Sequence, residues 1–517
     1  MGGGRETSTF LLIGYLAPLL CILKEIAMNG NNSSGQLNRI LRIAGWALAG
    51  IMGIASVVFE IMLINFKLIP GKYCIIAGVV LVILVAAFAL LQRWKIAGII
   101  AKVMSILFTV ILIIGCVYIG QASKALSKVT TTHEEKVVMG VYVLKDSGIT
   151  DIAQLDGGEI GIVADVDRES TDELINRMKN DGFSAEYNEY DNTAEMLTAM
   201  EDNQNMGIIL KTSSIDMLSD IEGYSDIAER LQLLYSGEFT INIEDNQTVE
   251  EVQDREYLSS EDVVAVYISG IDSRGSINEV SRSDVNILML INKKTHSILM
   301  VNTPRDYYVP LSISGGVKDK LTHAGVYGIQ CSTDTISMLY GINIDYYVKI
   351  NFSGFENIIN ALGGVDVTLD YSLTIGNGAL TVHPGVNHLN GTQALAFSRE
   401  RKAYADGDRQ RGRNQMMVME AAIKKACTPA ILSNYSSVLS AVSDSVITNM
   451  SYDDLATLAQ MQLNEMPSWN VKQISVTGSG SMSTTTYSMP GWNLYVMVPD
   501  ESSMNNAMNE IRALYGE

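Results

Sequence analysis

Three long apolar runs, Ile40 to Phe66, Tyr73 to Gln92 and Ile96 to Gly120, stand near the start of the chain. Each is close to the roughly twenty residues that a helix needs to cross a hydrocarbon core. Lys67 and Lys72, then Arg93 and Lys95, occupy the linkers, while Glu60 and Lys102 sit near segment ends where a charged head can reach the interface. The pattern predicts an all-α transmembrane region over 39–121 with three adjacent spans at 40–66, 73–92 and 96–120. Arg39 and Arg42, kept inside by the positive-inside rule, would leave everything after Gly120 outside the cytoplasm. Within the extension 1–38, the stretch Phe10 to Leu23 contains Pro18 and lacks a small-residue cleavage site. It reads as a further hydrophobic segment, a re-entrant piece, or part of an over-long start ahead of Met28, and not as a signal peptide.

After a polar linker around Ser123 to Lys136 the periodicity changes. Apolar β-rich runs (Val137 to Leu144, Glu159 to Val163, Gly207 to Leu210) alternate with helical patterns (Ser170 to Asn180, Ala194 to Asp202), which predicts a small α/β accessory domain over 137–250. Its run VYVLKDSGITDIAQLDGGEIGIV with the later strand GIIL is similar to half of a periplasmic solute-binding domain. Half a domain has no partner lobe to close a cleft, so a spacer or interaction module competes with a small-molecule receptor. A second region, 258–517, opens with the strands VVAVYIS, VNILMLIN and SILMVNTP. Its fold class is α/β (α+β), a central mixed sheet flanked by helices.

Charge separates along the same boundary. The first 125 residues hold ten Lys and Arg against three acidic residues, which leaves 27 basic and 54 acidic residues for the remainder of this chain of net charge −20. An acidic body argues against nucleic acid, whose phosphates demand a cationic footprint. Cys331 and Cys427, the cysteines of the body, have no metal-knuckle spacing and read as two buried free thiols, with a pair formed in an oxidising compartment as the competing reading. His323, His383 and His388 share no zinc-like spacing with carboxylates.

Against that acidic background, cations gather in two places. INKKTH supplies the turn of a hairpin, and folding there brings Arg282 and Asp284 opposite Arg305 and Asp306. Asp272, just past the preceding strand, would reach the same sheet end if that strand pairs alongside. Taken alone, these residues read equally well as a surface ion-pair cluster. The second place is FSRERKAYADGDRQRGRNQ, with six cationic residues between Arg399 and Arg413. Ala394 to Arg401 reads as a strand with Arg399 and Arg401 on one face, and a helix beginning near Asp408 would put Asp408, Arg411 and Gln415 on one face. Arginine forks match phosphate oxygens bidentately, and a helix amino terminus adds backbone donors, so a pyrophosphate fits. Aspartates among the arginines suggest a divalent cation bound with it. A solvated charge run on a helix is the competing reading.

The strings SRSDVNILMLI, VNTPRDYYV, DKLTHAGVYG, DYYVKINFSGFENIINALGGVDV, HLNGTQALAFSRER and GDRQRGRNQ occur in order and resemble the LytR-CpsA-Psr family of Gram-positive bacteria, strongly over Val263 to Lys425. The three spans and linking domain resemble its capsule-associated members. The resemblance implies an enzyme that takes a glycopolymer, capsular or teichoic-acid-like, from an undecaprenyl pyrophosphate carrier and joins it to peptidoglycan through a phosphodiester. It implies that Arg282, Arg305, Arg399, Arg401 and Arg411 contact the pyrophosphate, with Gln415 at its edge, Asp408 orienting the arginines, and Asp306 or Lys320 assisting. Asp284, Arg305, Arg401 and Asp306 are the expected catalytic group, and Asp272 and Asp284 would hold Mg²⁺ or alternatively Mn²⁺. A lipid-pyrophosphate hydrolase and a non-catalytic wall sensor are the rivals. Phe355 to Leu362 and Val365 to Leu369 read as core, or as lining for a polyprenyl chain, and Thr477 to Tyr487 as a flexible loop before a last strand and helix.

Overall fold

Helices α1 (Ser34–Asn65), α2 (Gly71–Leu91) and α3 (Lys95–Val129) form from the three apolar runs, and each is long and apolar enough to cross a membrane. The structure is a computed structural model describing residues 34–130, 134–164, 166–241, 257–271, 276–378, 380–405, 407–428, 431–443 and 445–517. The Phe10 to Leu23 stretch, Met28 and Asp272 lie outside the described residues. Pro70, at φ −55°, precedes α2 with the dihedral a helix start requires. Helix α3 continues past the expected end at Gly120 because QASKALSKV is rich in good helix formers. Met52, Phe88, Ala101 and Leu112 pack together, while Ile54, Val82 and Ile96 are 69%, 69% and 78% exposed, an arrangement suited to a lipid solvent.

A compact unit ends at Ser123 and a second runs Lys124–Glu517. The second begins with a five-stranded sheet of order β3-β2-β4-β1-β5. Its strands are β1 (Glu135–Leu144), β2 (Glu159–Val163), β3 (Glu186–Tyr190), β4 (Gly207–Lys211) and β5 (Leu231–Ile241). Helices α4 (Arg168–Asn180), α5 (Thr193–Glu201), α6 (Thr212–Leu218) and α7 (Ile227–Arg230) accompany it. Strand β2 runs parallel to β3 and β4, whereas β1 runs antiparallel to β4 and β5. The turn after α6 carries Asp220.

The larger sheet has six strands, with β6 (Val263–Ile271), β7 (Ser283–Asn292) and β8 (Ser297–Asn302) joined antiparallel at its centre. All nine residues of β6 are buried, as expected of a strand covered on both faces. Two short paired strands, β9 (Tyr308–Pro310) and β10 (Lys318–Lys320), follow. Next come α8 (Ile329–Tyr340), β11 (Tyr346–Asn351), which runs parallel to β6, and α9 (Phe352–Ala361). Strands β12 (Val365–Leu369), β13 (Leu373–Ile375), β14 (Leu380–Val382) and β15 (Gly385–Leu389) form two small ribbons. Helices α10 (Gly391–Arg399), α11 (Asp408–Ala426) and α12 (Ile431–Ser443) precede β16 (Val446–Thr448) at one sheet edge. After α13 (Tyr452–Glu465), β17 (Asn470–Ser475) closes the other edge parallel to β8. The chain ends with the hairpin β18 (Gly478–Ser483) and β19 (Leu494–Pro499), then α14 (Glu501–Tyr515).

Two local expectations are overturned. Residues expected as a strand over Ala394 to Arg401 are the helix α10. Asn390 accepts from the Gln393 amide while the Gln393 side chain returns to the Asn390 amide, and Gly391, Ala394, Leu395 and Ser398 are buried at helical spacing. The stretch read as a flexible loop after Thr477 contains β18, where Gly478 and Gly480 let the backbone approach β19 at positions a Cβ would crowd. Cys331 and Cys427 are both free; the first is buried and the second half-buried.

The two sheets share one apolar seam, in which Leu210, Ile215, Leu218 and Ile221 pack with Val326, Met489 and Leu494. A buried ion pair crosses the same boundary: Lys349 Nζ lies 2.7 Å from Glu135 Oε1, with side chains 3% and 2% exposed. Glu135 Oε2 also accepts from the Ile329 amide at 2.7 Å. Lys349→Ala strands the Glu135 carboxylate without its cation, and we expect it to lower unfolding free energy by about 3–5 kcal/mol. Denaturant unfolding checks this; a loss below about 1 kcal/mol, the scale of exposed pairs, would show the pair to be peripheral.

Candidate active site

The hairpin of β7 and β8 decides where the first group of charges meets. Its register pairs Ile287 with Asn302, so the start of β7 and the residues just beyond β8 share one sheet end. There Arg305 Nη1 donates to both oxygens of Asp284 at 3.0 Å. Thr322 locks the pair from the side: its hydroxyl donates to Asp284 Oδ1 at 3.1 Å and its amide to the Arg305 carbonyl at 2.8 Å. Arg305 and Asp284 side chains are each 11% exposed. Burial pushes the Asp284 carboxyl up, but Arg305, Arg282 and Arg411 outweigh it and hold it below the usual carboxylate range. Burial opposes charge on Arg305 as well, and Asp284, Asp306 and Asp220 more than reverse that, raising its pKa.

From Arg305 the charges alternate away into the protein. Arg305 Nε stands 3.7 Å from Asp306 Oδ2, and Lys320 Nζ stands 2.8 Å from Asp306 Oδ1. Lys320 is also 3.4 Å from Asp220 Oδ2, the same oxygen that accepts from Arg282 Nη1 at 2.7 Å. Burial raises the Asp220 carboxyl, and Lys320, Arg282 and Arg305 reverse this to bring it below the usual range. Asp220 was not singled out from sequence: it lies 62 residues before Arg282, in a different sheet's lobe, with no motif around it. Thr322 sits inside a motif already noted and was likewise passed over.

On the other side, the amino terminus of α11 faces Asp284 and Arg305 across a cleft, which Asp408, Arg409, Arg411 and Gln415 also line. The expected spacing of Asp408, Arg411 and Gln415 on one helix face is thus what the structure has. Asp408 Oδ1 accepts from Arg411 Nη2 at 2.7 Å. Burial lowers the Arg411 pKa, with Asp408 and Asp284 only partly offsetting it. Gly412 rests on the side chain of Asn302, where a Cβ would collide with the amide; this close approach brings α11 against the end of β8.

The remaining candidates divide. Arg282 and Lys320 do not line the cleft and are engaged by Asp220. Asp306 is buried and faces Lys320. Arg399 ends α10 rather than sitting on a strand, 4.1 Å from the centroid of the Phe352 ring. It lines a second, apolar pocket with Ile268, Val285, Ile350, Phe355 and Met419, and Gln415 lines both spaces. Arg401 is exposed beyond α10, and its charge acts on Arg411. Val365, Val367 and Leu369 pack into a core with Ile359 and Phe397. His323 is buried with Nδ1 2.8 Å from Asp319, and His388 pairs with Asp366 at 2.7 Å, neither in a metal cluster.

For a divalent cation, Asp284 supplies a hard, ionised oxygen donor of the right chemistry. Among the described residues no group of three His, Cys, Asp or Glu could hold a metal. Strand β6 ends at Ile271 opposite Ser283, so the chain leaves that strand at the Asp284 end of the sheet.

Comparison with known proteins bears on this geometry. The LytR_cpsA_psr family model matches residues 234–510. The polyisoprenyl-teichoic acid–peptidoglycan teichoic acid transferase TagU of Bacillus cereus is 33% identical over 270 residues, covering 52% of this chain and 83% of the relative. TagU of Bacillus mycoides is 34% identical over 257 residues, covering 50% and 80%. Among solved structures, Bacillus subtilis TagV is 25% identical with a TM-score of 0.42, covering 50% of this chain and 99% of that one. TagT bound to LI-WTA is 28% identical with a TM-score of 0.42, covering 53% and 98%. A DNA polymerase processivity factor model also matches residues 95–210, a stretch that starts in apolar α3 and stops before the charged cleft. With more than half of its length matched by the family model and relatives above 30% identity covered over most of their length, the chain belongs to the LytR_cpsA_psr family.

Proposed function

We propose that the chain is a phosphotransferase that moves a glycopolymer, capsular or teichoic-acid-like, from a polyprenyl pyrophosphate carrier to peptidoglycan, forming a phosphodiester. The observation that carries this reading is a cationic cleft beside an apolar pocket, with Gln415 on the wall of both. A lipid pyrophosphate has that shape: a charged head next to a long hydrocarbon. The similarity to polyisoprenyl-teichoic acid–peptidoglycan teichoic acid transferases supports transfer of a glycopolymer to peptidoglycan. The three apolar helices would anchor the chain as a multi-pass protein, with both sheets outside the cytoplasm where peptidoglycan lies.

In this reading a peptidoglycan hydroxyl oxygen attacks the phosphorus that carries the sugar. The new phosphorus–oxygen bond forms as the bridging bond to the second phosphoryl group breaks, the hydroxyl proton is released to solvent, and polyprenyl phosphate leaves. Arg305, Arg411 and the backbone donors at the start of α11 stabilise the charge on the transferring group. Asp284 and Asp408 keep those arginines ionised and aimed. Arg399, on the wall of the apolar pocket, and Arg401, exposed just before α11, would extend the grip toward the leaving group. Asp284, together with Asp272, would hold Mg²⁺ or Mn²⁺, which would neutralise pyrophosphate oxygens when bound.

Incubating the protein with a lipid-pyrophosphate-linked oligosaccharide, peptidoglycan and Mg²⁺ tests the reading. Label in the peptidoglycan supports transfer; free sugar phosphate alone favours a hydrolase, and intact substrate sinks both. Arg305→Ala should lower transfer by at least about a hundredfold while circular dichroism stays unchanged; retained activity would show the site to be elsewhere. Gly412→Ala, which drives α11 off Asn302, should slow turnover without touching a charged group. Asp284 and Asp220 have depressed folded pKa values, so their stabilisation is complete above the unfolded carboxyl value near about 4 and is lost as pH falls through the lower folded values. Unfolding free energy should therefore decline below about pH 4, less steeply in Asp284→Asn, and an identical slope in both proteins would contradict this.

A further inference from the structure

Asp220 reaches the charge chain from outside the sheet that holds the cleft. Its carboxylate is shared by Arg282 and Lys320, whose side chains are only 11% and 3% exposed. It stands in the turn after α6, where its amide donates to the Met217 carbonyl at 3.1 Å and the Ile221 amide to the Leu218 carbonyl at 3.0 Å. Leu218 and Ile221, on either side, are 0% and 4% exposed in the seam common to both lobes. These two packed neighbours hold the backbone of the turn in place, and the Asp220 side chain, 24% exposed, reaches from it to Arg282 and Lys320 behind the cleft. Residue 220 also lies outside the stretch 234–510 that the family model matches, so this charge comes from the additional lobe.

We infer that Asp220 is a positioning residue for the transfer reaction, supplied by the accessory lobe, which thereby completes the site instead of merely spacing it from the membrane. The inference rests on the transferase reading above. Lys320 divides its charge between Asp220 and Asp306, and Asp306 is the neighbour of Arg305 Nε. Without the Asp220 charge, Lys320 moves fully onto Asp306, Arg282 loses its partner, and Asp306 pulls less on Arg305. The guanidinium facing the cleft then loses part of its alignment. Small displacements of this kind are costly, because an error of about 1 Å in a positioning contact can reduce rate by up to about a hundredfold.

The test uses the full chain in detergent with a lipid-pyrophosphate-linked oligosaccharide and peptidoglycan. Asp220→Asn, nearly isosteric, should lower kcat by about tenfold or more with KM within about threefold of wild type. Asp220→Glu should recover part of the rate, and Glu222→Gln, an exposed neutralisation in the same turn, should leave it unchanged. A double variant Asp220→Asn/Lys320→Gln should be no slower than Lys320→Gln alone; additive losses would overturn action through Lys320 even if the single variant is unstable. Wild-type kcat in Asp220→Asn overturns the inference, as does a lower KM with a higher kcat, which would make Asp220 an inhibitory counter-ion. Wild-type protein that transfers nothing overturns the transferase reading itself, a result separate from any of these.

Discussion

A guanidinium and a carboxylate withdrawn together from water, Arg305 and Asp284, set the terms for the rest of the molecule. Removing two ions from solvent is expensive, and their mutual attraction compensates only when the geometry is good and the remaining donors and acceptors are occupied. Thr322 occupies one Asp284 oxygen, whereas the buried Arg305 Nε has no hydrogen-bond partner, with the Asp306 carboxylate 3.7 Å away to balance its charge. Asp306 in turn requires Lys320, and Lys320 is shared with Asp220. The charges alternate outward from there, through buried Asp306 and Lys320, until they end at Arg282 and the more exposed Asp220 in the turn of a different lobe.

This explains why the two sheets of the second unit behave as one body. The alternating charges need a rigid frame, because attraction in a low-dielectric interior falls away with loose geometry. The seam of Leu218, Ile221, Val326 and Met489, with the Glu135 and Lys349 pair, supplies that frame. On the open side the Arg305 and Asp284 pair meets the amino terminus of α11, brought close by Gly412, across a cleft that Asp408, Arg409 and Arg411 also line. The apolar pocket beside it, under Phe352 and Phe355, lies on the same sheet.

Much of this was written in local pattern. Long apolar runs with few charges are stable only in lipid or a core, and their length pointed to α1, α2 and α3. Alternation and a polar turn specified the β7 and β8 hairpin, and with it the meeting of Asp284 with Arg305. Three-and-four spacing put Asp408, Arg411 and Gln415 on one face of α11. The misreading of Ala394 to Arg401 has a local cause: a short run of small and apolar residues suits either period, and the deciding signal was the reciprocal Asn390 and Gln393 cap.

What sequence alone determined was the identity of the charged groups and the elements that carry them, because helical and strand periodicities are properties of neighbouring residues. Which charges share a partner was decided only by tertiary structure. Arg282 and Lys320 read as phosphate ligands beside Arg305, and the packing of a second lobe places Asp220 against both of them. No local rule could show this, since an ion pair 62 residues apart and across two sheets depends on how those sheets dock. The docking itself is governed by a hydrophobic seam whose members come from both lobes.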